Sequence, residues 1–145
     1  MERLRIRALR AEDAEDIRRI QTAITQTPSA IDFEQVFDEQ VKRSGGASFV
    51  AELQGQVVGY MISYVLSGGF GIEKSAWIAM LGVDPQLMGQ GIGKKLAQEI
   101  FRVYKEKGIK NVYTAVRWDS TDLLSFFKTL DFDRSDFINL RKVLE

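Results

Sequence analysis

The residues best suited to chemistry lie in one short loop, "GVDPQLMGQGIGKKL", at residues 82–96. Three closely spaced glycines, Gly89, Gly91 and Gly93, follow an apolar strand-like run and open a helical pattern. The first backbone N–H groups of a helix have no acceptor within the helix, and the helix dipole adds positive potential there. Glycine lets an anion approach these groups closely. The loop therefore predicts a site for a phosphorylated ligand, to which Lys94 and Lys95 add positive charge.

Two well-known phosphate loops do not fit this spacing. The Walker loop needs four residues between its first glycine and a Gly-Lys pair, followed by Ser or Thr. Here three residues separate Gly89 from Gly93, and Lys95 follows Lys94. The dinucleotide fingerprint, Gly-x-Gly-x-x-Gly, needs its third glycine one residue later. The ligand is therefore predicted to be neither a nucleoside triphosphate nor a dinucleotide bound in those modes.

The composition removes several classes of chemistry. The chain has no cysteine and no histidine, which excludes disulfides, thiolate nucleophiles and the commonest general base and metal ligand. Lys plus Arg equals Asp plus Glu at 20 each, which argues against nucleic acid or an anionic membrane surface as the main partner. The N-terminal segment lacks a signal-peptide core, and no apolar run is long enough for a membrane span. We therefore expect a cytoplasmic protein.

Hydrophobic periodicity predicts strands and helices around one sheet. Alternating residues predict strands, including a β-hairpin at residues 54–55, and apolar residues at helical spacing predict helices. The predicted order is β-α-α-β-β-β-α-β-α-β-β, with its second helix at residues 31–43 and two final strands within residues 131–145. Residues 76–116 should form a parallel crossover. The sequence predicts an α+β (mixed α/β) fold, one domain over residues 1–145, with helices on both faces of a mixed sheet of about seven strands.

The segment "LGVDPQLMGQGIGKKLAQEI", residues 81–100, resembles the acyl-CoA-binding segment of the GNAT superfamily of N-acetyltransferases. That family carries a strand, a loop of Gln/Arg-x-x-Gly-x-Gly/Ala, and a helix. The predicted element order resembles the same fold, so the resemblance covers nearly the whole chain. It implies a splayed central strand pair, in which residues 75–83 bulge away from the strand "NVYTAV". Met88 takes the Gln/Arg position, so one side-chain contact is lost while the backbone donor remains.

The resemblance implies acetyl-CoA, or another short acyl-CoA, as co-substrate, and no metal. Backbone N–H groups from Met88 to Lys94 would hold the pyrophosphate, and the backbone of Leu81 and Val83 would pair with the pantetheine arm. A backbone N–H near Leu81 would polarise the thioester carbonyl. The implied cofactor-binding residues are Leu81, Gly82, Val83, Met88, Gly89, Gln90, Gly91, Ile92, Gly93, Lys94, Ser120 and Phe127.

The acid and base of the reaction are harder to find. Family members often place a Tyr in the helix after the splayed strand as the acid, and here Phe127 takes that position. Ser120 could contact the pantetheine or protonate the sulfur, or it could cap the helix, as Asp119 could. Asp119 could also contact the incoming ammonium. The strand at residues 75–83 carries no acid, and Glu73 is the nearest upstream, so an ordered water is the expected route for the proton.

Two functions follow from this resemblance. The first is an N-acetyltransferase that moves an acetyl group from acetyl-CoA to a primary amine of a small molecule or a protein. The second is an acyl-CoA-binding sensor or regulatory module with little turnover, which Phe127 and the acid-free strand favour. The expected partners are acetyl-CoA and an amine acceptor, without nucleic acid or membrane. A homodimer is compatible with the resemblance, although no segment identifies its interface. Tyr60 is expected to form core or pocket wall.

Overall fold

The computed structural model of the protein describes residues 3–26, residue 35, residues 46–67 and residues 73–145. The described chain contains strands, α-helices and short 3-10 turns. In chain order they are β1 (Leu4–Ala8), a 3-10 turn (Ala11–Asp13), α1 (Ala14–Thr25), β2 (Phe49–Leu53), β3 (Gln56–Leu66), β4 (Ser75–Val83), a second 3-10 turn (Pro85–Leu87), α2 (Ile92–Glu106), β5 (Val112–Thr114) and α3 (Thr121–Thr129).

The five described strands form one sheet in the order β1-β2-β3-β4-β5. Neighbouring strands from β1 to β4 are antiparallel, whereas β4 and β5 are parallel and are connected through α2. A tight turn can join antiparallel strands, but parallel strands need a crossover of a dozen or more residues. The predicted mixed sheet and its parallel crossover are therefore confirmed. The described sheet has five strands, whereas about seven were expected.

The turn between β2 and β3 forms at Gln54 and Gly55, as the sequence predicts. Both residues have positive φ angles, 53° and 78° respectively. Positive φ at both central positions is the geometry of the two-residue hairpin turn whose twist matches that of the paired strands. Glycine adopts this conformation without steric cost, which explains its position in the turn.

Two hydrophobic cores lie on opposite faces of the sheet, because successive side chains of a strand point to opposite sides. Tyr60 and Ile62 of β3 pack with α1 in what we call the α1 core. Met61, between them, packs with α2 and α3 in the α2–α3 core. The buried members of the α1 core are Ala14, Ile17, Ile20, Val50, Val57, Tyr60 and Ile62. The helices therefore cover both faces, as predicted.

One extra residue interrupts the pairing of β3 with β4. Ile62 lies opposite Met80 and Ser63 lies opposite Ile78, so Ala79 of β4 has no partner residue on β3. Such a β-bulge bends its strand and leaves the extra residue unpaired. Ala79 is correspondingly exposed, although β4 lies in the interior of the sheet.

The bulge also changes which residues of β4 face each core. Before it, Ala76 and Ile78 face the α2–α3 core, and after it Leu81 and Val83 face the same core. The pairing of β4 with β5 ends at Ile78, where the Thr114 hydroxyl donates to the Ile78 carbonyl oxygen at 2.9 Å. Beyond this point the two strands separate, which agrees with the splayed pair that the resemblance implies.

A buried hydroxyl network lies next to the bulge. The Tyr104 hydroxyl of α2 accepts the N–H of Ala47 at 2.9 Å and lies 2.6 Å from the Ser63 hydroxyl. The Ser63 hydroxyl also donates to the Ala47 carbonyl, and the Ser63 N–H donates to the Ser48 hydroxyl at 3.0 Å. Burial raises the pKa of Tyr104, so its hydroxyl keeps its proton at neutral pH. The network connects α2, β3 and the chain entering β2.

An ion-pair cluster positions the start of α1. The Arg7 guanidinium binds both carboxylate oxygens of Asp13, at 2.8 and 3.0 Å, and donates from Nε to Glu52 at 2.8 Å. Asp13 also accepts the backbone N–H of Arg10 at 2.8 Å. These carboxylates hold the pKa of Arg7 above its ordinary value. Burial of an unpaired carboxylate would be strongly unfavourable, and the hydrogen bonds that Asp13 accepts compensate this cost.

The prediction of two final strands within residues 131–145 is wrong for the described chain. No residue from 132 to 145 is in a strand, and residues 138–145 make no hydrogen bond to another described residue. Alternating apolar residues favour a strand, but a strand also needs a partner for its backbone groups. Within this chain, that segment has no such partner among the described elements.

Other predictions are confirmed in part or lie outside the described residues. The helix predicted at residues 31–43 lies outside them apart from Gln35, as does most of the glycine-rich loop at residues 67–74. The strand predicted around "NVYTAV" is confirmed but short, because it pairs only along Val112–Thr114. None of the described helices is long and apolar enough to cross a bilayer.

We predict that Tyr104→Phe lowers the free energy of unfolding by about 1–3 kcal/mol, because the buried Ala47 N–H then lacks its acceptor. The measurement is urea unfolding at pH 7. Tyr113→Phe is the matched control, since the Tyr113 hydroxyl bonds to no described residue and its removal should change stability little. Equal stability of the two variants would contradict the structural role of the network.

Candidate active site

The glycine loop presents a row of backbone donors. Among the described residues, none accepts a hydrogen bond from the N–H groups of residues 89–94. Gly89 and Gly91 have φ angles of 82° and 81°, and Gly91 is the N-cap of α2 without any side-chain capping bond. Successive N–H groups in such a turn, with a helix N-terminus behind them, form a concave anion site. The exposed Lys94 adds charge.

Glycine is needed at the three positions of the loop for different structural reasons. A Cβ at Gly89 or Gly91 would contact nothing, so the positive φ alone explains glycine at these two positions. A Cβ at Gly93 would lie only 3.0 Å from the Phe126 ring of α3. Gly93 therefore allows α2 and α3 to approach closely, in addition to the contribution of its N–H group.

The segment between β4 and the loop is held by Asp84. Its N–H donates to the Val58 carbonyl at 2.8 Å, and its carboxylate accepts the Gln86 N–H at 3.0 Å. Arg19 of α1 lies 3.6 Å from the Asp84 carboxylate and donates to the Val57 carbonyl at 2.8 Å. The loop is thus attached both to β3 and to α1.

A cavity of about 220 Å³ opens where β4 and β5 separate. It is lined by residues of both cores, with Tyr60 from the α1 core and Phe127 from the α2–α3 core. The cavity therefore connects the two faces of the sheet. None of the described residues that line it is charged: they are Gln21, Tyr60, Ile78, Ala79, Met80, Leu81, Thr114, Ala115, Val116, Leu123 and Phe127.

A polar pair lies at the α1 side of this cavity. The Tyr60 hydroxyl donates to Oε1 of Gln21 at 2.6 Å. Burial raises the pKa of Tyr60 to about 12, so the phenol remains protonated at neutral pH. Its single proton is used by Gln21, so any further hydrogen bond at the phenol oxygen must be one that it accepts.

Tyr60 also explains the glycine that follows Leu81. Tyr60 lies opposite Gly82 in the β3–β4 ladder, and its ring covers the Gly82 backbone. A Cβ at position 82 would come within 2.7 Å of the Tyr60 ring. The bare backbone of Gly82 therefore lets the phenol reach the cavity.

The opposite side of the cavity is apolar. Phe127, at the position where the family often has Tyr, is buried, and its ring contacts those of Phe126 and Phe132 at centroid distances of 5.2 and 5.0 Å. Leu123 lines the cavity on the same side. No group that could donate a proton to a leaving sulfur is contributed there by the described lining residues.

Ser120 and Asp119, just before α3, are not among the described residues that line the cavity. Ser120 is the N-cap residue of α3, but its side chain makes no capping bond. The Asp119 carboxylate binds Arg117 at 3.0 Å through both oxygens, and this pairing lowers the pKa of Asp119. Neither residue lines the cavity, and the expected Asp119 cap is not formed. Trp118 is 86% exposed.

The site residues expected from the sequence therefore fall into three groups. Leu81 and Phe127 line the cavity, and Gly82 and Val83 continue β4 beside it. Residues 88–94 form the loop, in which Met88 is 62% exposed. Ser120 and Asp119 lie apart from the cavity. The sequence analysis missed Gln21, because its contact with Tyr60 joins residues 39 positions apart and no local pattern marks it.

Metal ligands are not grouped in this region. Within the described ranges, no three Asp or Glu side chains lie together as a metal site would require.

Comparisons with known proteins support one family. The model of the GNAT family of acetyltransferases matches residues 14–132. A mycothiol acetyltransferase of Amycolatopsis mediterranei is 30% identical over 91 residues, which are 61% of this chain and 30% of the relative. An N-alpha-acetyltransferase of Sulfurisphaera tokodaii is 30% identical over 103 residues, 66% of this chain and 62% of the relative. The chain thus spans less than two thirds of either relative.

Solved structures resemble nearly the whole chain. An aminoglycoside acetyltransferase from an uncultured soil metagenomic sample, in complex with sisomicin, superposes with a TM-score of 0.80 at 25% identity, covering 98% of this chain and 97% of that one. An aminoglycoside N-acetyltransferase in complex with CoA superposes with a TM-score of 0.82 at 16% identity, covering 99% and 96%. The second likeness concerns the fold alone.

We predict that the stability of the protein falls at alkaline pH partly because of Tyr60. The folded pKa of about 12 lies above the unfolded value of about 10, so the contribution is fully present below pH 10 and is lost as pH rises through 12. Urea unfolding between pH 8.5 and 11 should show a shallower decline for Tyr60→Phe than for the natural protein. Parallel declines would show that burial of Tyr60 does not control this loss.

Proposed function

The chain belongs to the GNAT acetyltransferase family, and on this premise we propose that it transfers an acetyl group from acetyl-CoA to a primary amine by direct attack. The observation that carries the proposal is the row of N–H groups at residues 89–94, which donate to no described residue and lie shortly after β4, the strand that separates from β5. The proposal treats residues 1–145 as one catalytic domain.

The loop fits the pyrophosphate of coenzyme A. Backbone donors from Met88 to Lys94 would bind its oxygens without side-chain help, so the Met88 side chain need not contribute. The backbone of Leu81 and Val83, beyond the end of β4–β5 pairing, would receive the pantetheine arm in place of a strand. An acetyl group, or another short acyl group, would then lie in the cavity between Phe127 and Tyr60.

The proposed chemistry depends on a neutral site. The Leu81 N–H would polarise the thioester carbonyl, and such a donor is worth more beside the uncharged side chains of the described lining than in bulk water. A thiol has a pKa of about 8.5, so its thiolate can leave without a general acid at the Phe127 position. Ser120 and Asp119 are not among the described lining residues of the cavity, so we assign neither of them a part in this step.

The Tyr60–Gln21 pair suits the amine. Because Gln21 takes the phenol proton, the phenol oxygen can accept an N–H of the attacking nitrogen and direct its lone pair toward the carbonyl. A phenol with a raised pKa is a poor base at neutral pH. The amine must therefore lose its ammonium proton to water before it attacks, and the N–H proton released as the amide forms would pass through water to the departing thiolate.

The names of the similar proteins indicate the chemical class of the acceptor only in part. These similar proteins include an aminoglycoside acetyltransferase, a mycothiol acetyltransferase and an N-alpha-acetyltransferase. A primary amine is common to the aminoglycoside and α-amino acceptors, and the neutral pair beside the cavity suits it. We therefore propose a primary amine without assigning the molecule that carries it.

A second candidate function is an acyl-CoA sensor with little turnover. It is favoured by the buried Phe127 and by a cavity whose described lining has no group that titrates near neutral pH. The sensor would use the same loop and cavity for binding, and only turnover separates the two functions.

We predict that Gly91→Val raises the dissociation constant for acetyl-CoA about five- to thirtyfold, because a β-branched residue at a φ of 81° costs about 1–2 kcal/mol and the loop leaves this conformation. Titration calorimetry is the measurement. Gly55→Val is the matched control, since Gly55 also has positive φ and open space but lies in the β2–β3 turn. Equal binding losses in both variants would contradict the loop assignment.

We predict that kcat/KM for an amine rises with pH between 6 and 9, with a slope near one on logarithmic axes, because the neutral amine must form in water. Thiol release from acetyl-CoA would be followed with an aminoglycoside, a peptide with a free α-amino group and simple alkylamines. Tyr60→Phe should lower kcat/KM for the amine about tenfold while the acetyl-CoA dissociation constant stays unchanged.

The two functions give different outcomes in this assay. Tight acetyl-CoA binding without turnover of any amine would replace the enzyme by the sensor. A bell-shaped profile centred near neutral pH would contradict the proposal that no side chain acts as the base.

A further inference from the structure

One carboxylate lies close to the loop that is proposed to bind the pyrophosphate. Asp84 is the only acidic residue between positions 75 and 98. The chain from Asp84 to Met88 passes through the second 3-10 turn, Pro85–Leu87, and such a turn rises about 2 Å per residue. Asp84 therefore lies about 8 Å from Met88, where the loop begins. Charges interact over this distance, because the screening length is about 10 Å at 0.1 M salt.

Asp84 directs the chain from the sheet into this turn. Its N–H donates to the Val58 carbonyl and its carbonyl accepts the Leu87 N–H, both at 2.8 Å. Its carboxylate accepts the Gln86 N–H at 3.0 Å. Pro85 has no N–H, so it cannot continue the ladder with β3. The turn therefore depends on a residue whose negative charge lies beside a site for an anion.

Arg19 of α1 compensates that charge. Its Nη1 lies 3.6 Å from Oδ2 of Asp84, and its Nη2 donates to the Val57 carbonyl at 2.8 Å. A separation of 3.6 Å is too long for a hydrogen bond, so Arg19 acts on Asp84 through its charge. Asp16, one helical turn earlier, lies 3.5 Å from Nη2 and shares that charge. Across the described part of the chain, no other Lys or Arg pairs with Asp84.

The compensation matters because the ligand proposed for the loop is itself negative. The pyrophosphate has two phosphate groups, and an uncompensated carboxylate about 8 Å away would repel the charge of each. With Arg19 in place, Asp84 keeps its hydrogen bonds to the turn without reducing the positive potential at the start of α2.

We propose that Arg19 is a positioning residue for the pyrophosphate of coenzyme A and that it acts through Asp84. Asp84 orients the turn that leads into the loop, and Arg19 cancels the repulsion that this carboxylate would otherwise exert on the phosphates. The proposal rests on the proposed function for the identity of the anion. Arg19 needs no contact with the ligand itself.

The same helix also reaches the amine side of the cavity. Gln21, two positions after Arg19, accepts the Tyr60 hydroxyl at 2.6 Å. Helix α1 thus contributes to the cofactor entrance through Arg19 and to the opposite end of the site through Gln21. The two contacts can be tested separately, because a substitution of Arg19 leaves Gln21 unchanged.

Titration calorimetry with coenzyme A at about 0.1 M salt tests the role of Arg19. Arg19→Gln should raise the dissociation constant about three- to tenfold, because the Asp84 carboxylate then repels both phosphate groups. Arg18→Gln is the matched control, since it removes the same charge from the neighbouring position of α1, where Arg18 pairs with Glu15. The side chains of Arg18 and Arg19 are 37% and 40% exposed, so both variants should fold.

A charge rescue separates this role from a purely structural one. Asp84→Asn removes the charge but keeps an oxygen that can accept the Gln86 N–H, so it should tighten the binding of coenzyme A. Arg19→Gln combined with Asp84→Asn removes both charges and should bind within about twofold of the natural protein. Arg19→Lys should bind as the natural protein does. Raising the salt to about 0.5 M should reduce the loss caused by Arg19→Gln alone.

The contrary outcomes are distinct. A natural protein that does not bind coenzyme A would overturn the proposed function and this role together. Binding by the natural protein, with equal dissociation constants for Arg19→Gln and Arg18→Gln, would overturn the role of Arg19 alone. A loss that Asp84→Asn does not rescue would show that Arg19 acts by holding α1 in place, which also overturns the proposal.

Discussion

The extra residue Ala79 in β4 is the constraint on which the site depends. Because β3 provides no partner for it, β4 bends, and its pairing with β5 stops at Ile78. The gap then opens through the sheet instead of lying on one face, so residues from both cores line it. Thr114 satisfies the last paired carbonyl, and the Tyr104 network holds β3 on the other side of the bulge. The backbone groups of β4 beyond Ile78 can remain without a partner strand because the hydrogen bonds of Thr114 and Tyr104 hold the neighbouring residues in place.

The site combines a charged entrance with an uncharged interior. Backbone N–H groups and Lys94 offer positive potential at the start of α2, whereas the described lining of the cavity carries no charge. This separation has a physical advantage for a thioester. The phosphates of the proposed acyl-CoA would provide binding energy where water is present, and the carbonyl would be polarised where the local dielectric constant is low. Catalysis in such a site would rely on positioning more than on transferred protons, which is the role proposed for the buried phenol of Tyr60.

Local patterns in the sequence were enough to predict the elements that depend on neighbours in the chain. The hairpin at residues 54–55, the helix after Gly91 and the parallel crossover each follow from spacing and turn chemistry. The Tyr60–Gln21 contact could not be predicted, because it depends on how α1 crosses the sheet. Ser120 was expected either as a cap or as a ligand contact, and its side chain does not cap the helix. The prediction of two final strands was wrong for a different reason: an alternating apolar pattern favours a strand but does not provide a partner strand for it.

The contact of Tyr60 with Gly82 also limits which substitutions these two positions can accept during evolution. The ring occupies the volume that any Cβ at position 82 would need, so the two residues behave as a single steric unit. A side chain at position 82 therefore requires either a shift of the Tyr60 ring or a smaller residue at position 60. The two positions should accordingly covary, although they are 22 positions apart in the chain.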